Sequence, residues 1–318
     1  MRPEPTSALN QGGSSPQWKA SKEVGSLWGI AFVARIANWA GRPVAKFMLL
    51  GISLYFYVTQ EDKRQACIDF RKSAGADTSF LAIYFHFYTF AVCAMDRLFF
   101  LQGKTEQFCL LQRGHQNIQS LLTPEKGAIL LGSHLGSFEA LRAASRDDNI
   151  PVNIVADFEN AQRLSAILSM FGDNEKTRFL DASGDRISLG LAVKEAVDRG
   201  ELVAILADRA GHGRSATASF FGRPVDFPVG AYLLAYTSDC PLYFTTSVYT
   251  APNRYELIFE AFASRVVLPR RARQEALDGY VQQYAHRLEH YARLRPDNWF
   301  NFYPYWATSL KNKDNDSS

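Results

Sequence analysis

Ala128-Ile-Leu-Leu-Gly-Ser-His134-Leu-Gly-Ser-Phe-Glu139-Ala-Leu-Arg142 reads as a strand, a turn and the opening of a helix. The apolar run 128–133 is short and continuous, as a strand buried on both faces of a parallel sheet must be. Gly132 and Gly136 allow the chain to turn sharply after it. His134 falls in that turn, and imidazole is the side chain whose ordinary pKa lies nearest neutrality, the property wanted in a general base. A carboxylate near such a base fixes its tautomer and stabilises its protonated form. On one regular helix, residues five apart point about 140° from each other. His134 and Glu139 can therefore meet only with His134 in the turn and Glu139 on the first helical turn. The same spacing also fits a turn histidine satisfied by local hydrogen bonds, with Glu139 as a favourable charge at a helix N-terminus. None of the other histidines (His86, His115, His212, His286, His290) has an acidic residue at the matching position.

Outward from this stretch the chain alternates between strand-like and helical patterns. Strand-like runs fall at 128–133, 151–156, 177–181, 201–207, 241–249 and 254–262, and helical patterns at 138–147, 159–171, 185–199 and 229–238. A last helix over 272–294 repeats apolar positions at Leu277, Val281, Tyr284, Leu288 and Tyr291. Strands interleaved with helices predict an α/β fold, with a mixed, mostly parallel central sheet flanked by helices. No internal repeat is visible.

The 318 residues are 47% hydrophobic, enough for a large core, and the net charge of +3 argues against a dedicated nucleic-acid binder. Charge is uneven: residues 1–60 carry six Arg or Lys against Glu4 and Glu23, a net of +4. The polar, Gly/Ser/Pro-rich residues 1–26 are expected to be a disordered leader, and 307–318 a flexible tail. Between them, residues 27–60 are apolar and aromatic but interrupted by Arg35, Arg42, Pro43 and Lys46. The uninterrupted part is shorter than the roughly 20 residues that span a bilayer. With Trp28, Trp39, Tyr55 and Tyr57 it predicts a membrane-associated helical segment lying in one leaflet; the other reading is a helical hairpin packed on the protein's own core. A second apolar run, 80–101, contains His86, Asp96 and Arg97 and reads as a buried helix lining an apolar groove, with His86 a core histidine. The four cysteines have no metal-ligand or C-x-x-C spacing and suit a reducing compartment.

Leu202-Val-Ala-Ile-Leu-Ala-Asp208-Arg209-Ala-Gly211-His-Gly213-Arg214-Ser-Ala216 is the next chemical candidate. Its glycines match a dinucleotide fingerprint formally, but the following Thr-Ala-Ser-Phe-Phe-Gly-Arg-Pro reads as loop and short strand rather than a helix. Asp208 and Arg209, at the carboxyl end of a strand, are better placed to line a cleft beside the His134 turn. Arg209, Arg214 and Arg223 could grip a phosphate or a phosphopantetheine arm; equally, they could be a structural ion pair and surface arginines. No G-x-S-x-G elbow occurs, Cys240 has no evident partner, and no metal spacing is present. What is left is general-base catalysis by His134 without a covalent intermediate.

Leu-Gly-Ser-His134-Leu-Gly-Ser-Phe-Glu139 resembles the H-x4-D/E signature of the lysophospholipid acyltransferase superfamily, and more closely its late lipid A (lauroyl and myristoyl) acyltransferase branch. The block Ala207-Asp208-Arg209 through Phe220-Phe221-Gly222-Arg223-Pro224 to Gly230-Ala-Tyr-Leu-Leu-Ala235 is similar to that branch's second region. The ending Arg295-Pro-Asp-Asn-Trp299-Phe-Asn301-Phe-Tyr-Pro-Tyr-Trp306 is similar to relatives associated with aryl polyene lipids. The resemblance covers roughly residues 25–306 and makes 61–306 an acyltransferase domain. It implies a membrane-associated O-acyltransferase at the cytoplasmic face of the bacterial inner membrane. The acyl group would pass from a carrier-protein or coenzyme A thioester, a co-substrate rather than a resident cofactor, to a lipid hydroxyl. His134 is then the base and Glu139 its orienting carboxylate. Backbone N–H groups of Gly136 and Ser137, or Arg209, would stabilise the oxyanion. Asp208 would hold Arg209 or position the acceptor, and Arg214 and Arg223 are candidates for the donor's phosphates. A thioester hydrolase with the same pair, or a non-catalytic lipid-binding protein, are the competing readings.

Overall fold

The computed structural model describes residues 35–37, 39–113, 126–147, 151–156, 177–211, 213–250 and 252–306. The expected leader (1–26), tail (307–318) and helix 159–171 lie outside these residues, as do residues 27–34 and 38 of the expected membrane-associated segment 27–60. The strands are β1 Cys109–Arg113, β2 Ala128–Gly132, β3 Val152–Ala156, β4 Thr177–Asp181, β5 Leu202–Leu206, β6 Ser215–Phe220, β7 Arg223–Pro228, β8 Leu242–Tyr249 and β9 Arg254–Ala263. The longer helices are α1 Arg42–Thr59, α2 Glu61–Ser73, α3 Phe80–Leu101, α4 Phe138–Asp147, α5 Arg186–Asp198, α6 Gly230–Ser238 and α7 Arg273–Leu294.

Seven strands form one sheet in the order β1-β9-β8-β2-β5-β3-β4, and the fold is a mixed α/β one. Every neighbouring pair in it is parallel except β8 and β9. Strand β2 is buried at all five positions, which explains its continuous apolar run. Alternation along the pleat sends Ile129, Leu131, Val203, Leu242 and Phe244 to one face and Leu130, Leu202, Ala204 and Tyr243 to the other. The first face packs against Val193, Ala196 and Val197 of α5, Ala235 of α6 and the Leu277, Val281, Tyr284 and Leu288 stripe of α7. The second face packs against α3, α4 and the inner face of α1.

Strand β1 escaped the sequence reading because its five residues are mostly exposed at the sheet edge and show no alternation. Strands β6 and β7 form a separate antiparallel hairpin where the sequence suggested loop and short strand. Its turn residues Phe221 and Gly222 both have positive φ, as a two-residue hairpin turn requires. No helix opens at Gly211 and Gly213, so the dinucleotide fingerprint has no structural counterpart.

The helix 80–101 is present as α3, started by Ser79, whose hydroxyl accepts from Ala82 N. Its interruptions are paired: Asp96 accepts from Arg42 Nε and Nη2, both at 2.6 Å, and from the Tyr255 hydroxyl at 2.8 Å. His86 is fully buried between Cys67 Sγ (3.0 Å) and Trp299 O (2.6 Å), a satisfied core histidine whose pKa burial pushes down to about 4. Arg42, Ala45, Leu49 and Ser53 turn one face of α1 onto the protein, while Val44, Phe47, Leu54, Tyr55 and Val58 stay exposed. No helix among the described residues is long and apolar enough to cross a membrane.

Candidate active site

Parallel register builds the site. Gly132 at the end of β2 pairs with Leu206 at the end of β5. His134 and Asp208 each lie two residues beyond those paired ends, so strands 74 residues apart in sequence deliver them side by side. This is the carboxyl end of a parallel sheet, where open α/β sheets place their ligands.

The Asp208 carboxylate clasps His134 twice. Its Oδ1 lies 2.9 Å and its Oδ2 3.1 Å from His134 Nδ1, and Oδ2 also accepts from the His134 backbone N at 3.1 Å. Asn301 Nδ2 donates to Oδ2 at 2.9 Å, and the Tyr305 hydroxyl donates to the Asp208 carbonyl at 2.5 Å. Burial alone would raise the Asp208 pKa. The His134 charge and hydrogen bond outweigh it, with help from Arg209 and Asn301, and hold the carboxyl well below the usual carboxylate range. Asp208 is therefore an anion at neutral pH and accepts from Nδ1–H, so that in the neutral form of the ring the lone pair lies on Nε2. The His134 side chain is 29% exposed.

Glu139, on the first turn of α4, lies beside Arg97. Its Oε1 lies 2.7 Å from Arg97 Nε, an ion pair by distance although the N–H direction is not that of a hydrogen bond. Asp208 reaches His134 Nδ1 because adjacent parallel strands align turn with turn. Arg97 leaves the buried side of α3 to reach the first turn of α4, one residue after Asp96 turns the other way to Arg42.

The turn itself is built from its own backbone. Gly136 has φ 77, and a Cβ there would fall 1.6 Å from Ser247 O, so only glycine fits. Its N–H donates to Asn298 O, and the Ser137 N–H donates to Ser247 O, both at 2.8 Å. These two groups, expected to serve an oxyanion, are thus committed to the protein's own carbonyls. Ser137 caps α4 instead, its hydroxyl accepting from Ala140 N at 3.3 Å. Phe300 N donates to His134 O, and Leu135 bridges to Trp299, so residues 298–301 run as a strap along the turn.

Asp208 does not grip Arg209 by a direct hydrogen bond. Asn301 mediates: its Oδ1 accepts from Arg209 Nε at 2.6 Å while its Nδ2 holds Asp208. The Arg209 guanidinium also lies 5.5 Å over the Tyr303 ring. Arg214 is exposed, 3.4 Å from Gln274 Oε1. Arg223 pairs with Asp69 (2.9 Å) and lies 4.3 Å over Trp306, which makes it a clamp between α2, the β6–β7 hairpin and the C-terminal segment rather than an open phosphate ligand. Asn301 and Arg97 were not singled out as site residues from sequence. Asn301 carries no spacing signal, whereas Arg97 announced itself only as a charge inside an apolar helix.

A histidine with a buried aspartate on Nδ1 and an arginine tied to the same network is an arrangement that can activate a hydroxyl or a water. Residues 29–308 match the family model described as bacterial lipid A biosynthesis acyltransferase. The chain belongs to that family and is an acyltransferase acting on lipids. No curated protein matches it.

Proposed function

We propose that this chain is an O-acyltransferase that moves a fatty acyl group from a thioester to a lipid hydroxyl, with His134 as general base. The observation that carries the reading is the buried Asp208 on His134 Nδ1. His134 Nε2 takes the proton of the acceptor hydroxyl as its oxygen attacks the thioester carbonyl. The tetrahedral intermediate collapses with cleavage of the C–S bond, and the imidazolium returns the proton to the departing thiolate. Asp208 holds the ring in the required tautomer and balances the imidazolium charge. Arg209, fixed by Asn301, is the candidate for stabilising the oxyanion. Glu139 acts at one remove, by holding Arg97 beside the first turn of α4.

The donor is a carrier-protein or coenzyme A thioester, and the acceptor a hydroxyl of lipid A, a related glycolipid or a polyene-type lipid. The exposed apolar stripe of α1 supports a protein working at a membrane surface, and the family's reaction suits the cytoplasmic side of the inner membrane. The test is incubation of the full chain with acyl thioester and lipid acceptor, with product masses read alongside released fatty acid. An acylated lipid that disappears in His134→Ala, with the fold retained by circular dichroism, supports the reading. Fatty acid alone, unchanged by acceptor, makes the protein a thioester hydrolase. Full transfer by His134→Ala removes His134 from the chemistry.

A further inference from the structure

A second cationic centre lies at the start of α1. Arg42, Pro43, Lys46, Gln107, Pro252 and Asn253 line a cavity of about 440 Å³, within the roughly 300–1,000 Å³ of small-ligand pockets. Two cations share it, but they are not equivalent. Arg42 is buried and neutralised by Asp96, and it also donates to Pro252 O and Asn253 Oδ1. Lys46 has neutral partners, the Tyr249 hydroxyl and Pro252 O, each at 3.1 Å. No carboxylate stands within ion-pair distance of it among the described residues. Among the described residues the cluster thus holds one positive charge more than it balances. Burial, and then the neighbouring Arg42, lower the Lys46 pKa against a smaller opposing pull from Asp96.

What lies beside the cavity narrows the anion. Val44, Phe47, Gly51, Leu54, Tyr55 and Val58 follow one another at helical spacing along the outer face of α1, and all are exposed. Phe47, next to the cavity, is 75% exposed. This stripe is about 21 Å long at 1.5 Å per residue. A pocket with an unbalanced cation at one end of an exposed apolar stripe matches a phosphate headgroup with its hydrocarbon alongside. A soluble phosphate has no use for the stripe. We propose that the Arg42–Lys46 cavity binds the phosphate headgroup of an anionic bilayer lipid, with the α1 stripe in the acyl layer, as a site separate from His134. Such a lipid seats α1 on the membrane at the α3–β8 side of the protein.

The test is flotation of the full chain with phosphatidylcholine vesicles, with and without phosphatidylglycerol. Near a membrane surface each Lys or Arg adds about 1 kcal/mol, so Lys46→Gln should weaken binding to the anionic vesicles about fivefold. Lys194→Gln, on α5 across the sheet, should leave it unchanged. Phe47→Ser should weaken binding to both vesicle types, and His134→Ala should bind like the parent chain, which separates this site from the chemistry. Equal binding to both vesicle types, equal losses in the two lysine variants, or no loss in Lys46→Gln overturns the proposal. Displacement of anionic vesicles by millimolar inorganic phosphate, dependent on Lys46, makes the cavity a free-anion site and overturns the lipid assignment.

Discussion

Asp208→Asn separates the two carboxylates that compete for the role of orienting His134. Oδ2 of Asp208 receives the His134 backbone N–H, which cannot reverse, and the Asn301 amide N–H, whose orientation is held by Arg209 Nε donating to Asn301 Oδ1. An asparagine at this position must therefore put its carbonyl oxygen where Oδ2 stands. Its NH2 then falls at Oδ1, 2.9 Å from His134 Nδ1, and donates to it. Nδ1 becomes the acceptor, the ring proton moves to Nε2, and the lone pair needed for catalysis is gone. In hydrolytic triads the same change costs about 10⁴ in kcat, or about 5 kcal/mol of transition-state stabilisation. Because two of the hydrogen bonds survive, stability should fall by only about 1–3 kcal/mol. Glu139→Gln should do much less. It disturbs a partly exposed pair with Arg97, worth about 1 kcal/mol or less, and so costs no more than about fivefold in rate. Steady-state transfer kinetics with thermal denaturation of both variants decide the matter. An Asp208→Asn enzyme above about a tenth of the parent kcat, beside an inactive Glu139→Gln enzyme, refutes the reasoning and returns the role to Glu139.

Gly136→Ala should destabilise the protein by at least about 3 kcal/mol, because a left-handed backbone and a Cβ 1.6 Å from Ser247 O cannot both be relieved locally; urea denaturation checks it, and a loss under about 1 kcal/mol contradicts it. Stability should also fall as pH drops from about 6.5 towards 4. In that range the unfolded chain protonates His86 while the folded one keeps it neutral at a pKa of about 4, so the unfolded state binds more protons. The gap corresponds to roughly 3 kcal/mol, fully lost below pH 4. Urea midpoints at successive pH values read this directly, and a stability that is flat across that window contradicts a neutral buried His86.

Most of the fold was legible because the inner strands, buried on both faces, write themselves as apolar runs, and the exposed edge strand β4 still carries Phe179 and Leu180. Each of 128–133, 151–156, 177–181, 201–207, 241–249 and 254–262 is matched by a strand of the main sheet. The exposed edge strand β1 left no such trace, and the Phe221–Gly222 turn was too short to announce a hairpin. Both poles of the site were also visible: His134 and Asp208 were each read at the end of a strand. Their partnership was not, because it depends on β2 and β5 being sheet neighbours in a particular register, and sequence spacing carries no information about strand order. Local spacing points to Glu139, which pairs with Arg97. Asn301 was hidden for a similar reason, since its role arises only when the C-terminal strap is laid along residues 134–136.

The state of the His134 ring tests the assignment most directly. Long-range ¹⁵N–¹H correlation on the histidine-labelled protein at neutral pH should show Nδ1 protonated and Nε2 carrying the lone pair, and Asp208→Asn should invert that pattern. A parent protein with Nε2 protonated and Nδ1 bare, or a pattern that changes with Glu139→Gln and not with Asp208→Asn, contradicts Asp208 as the group that makes His134 a base.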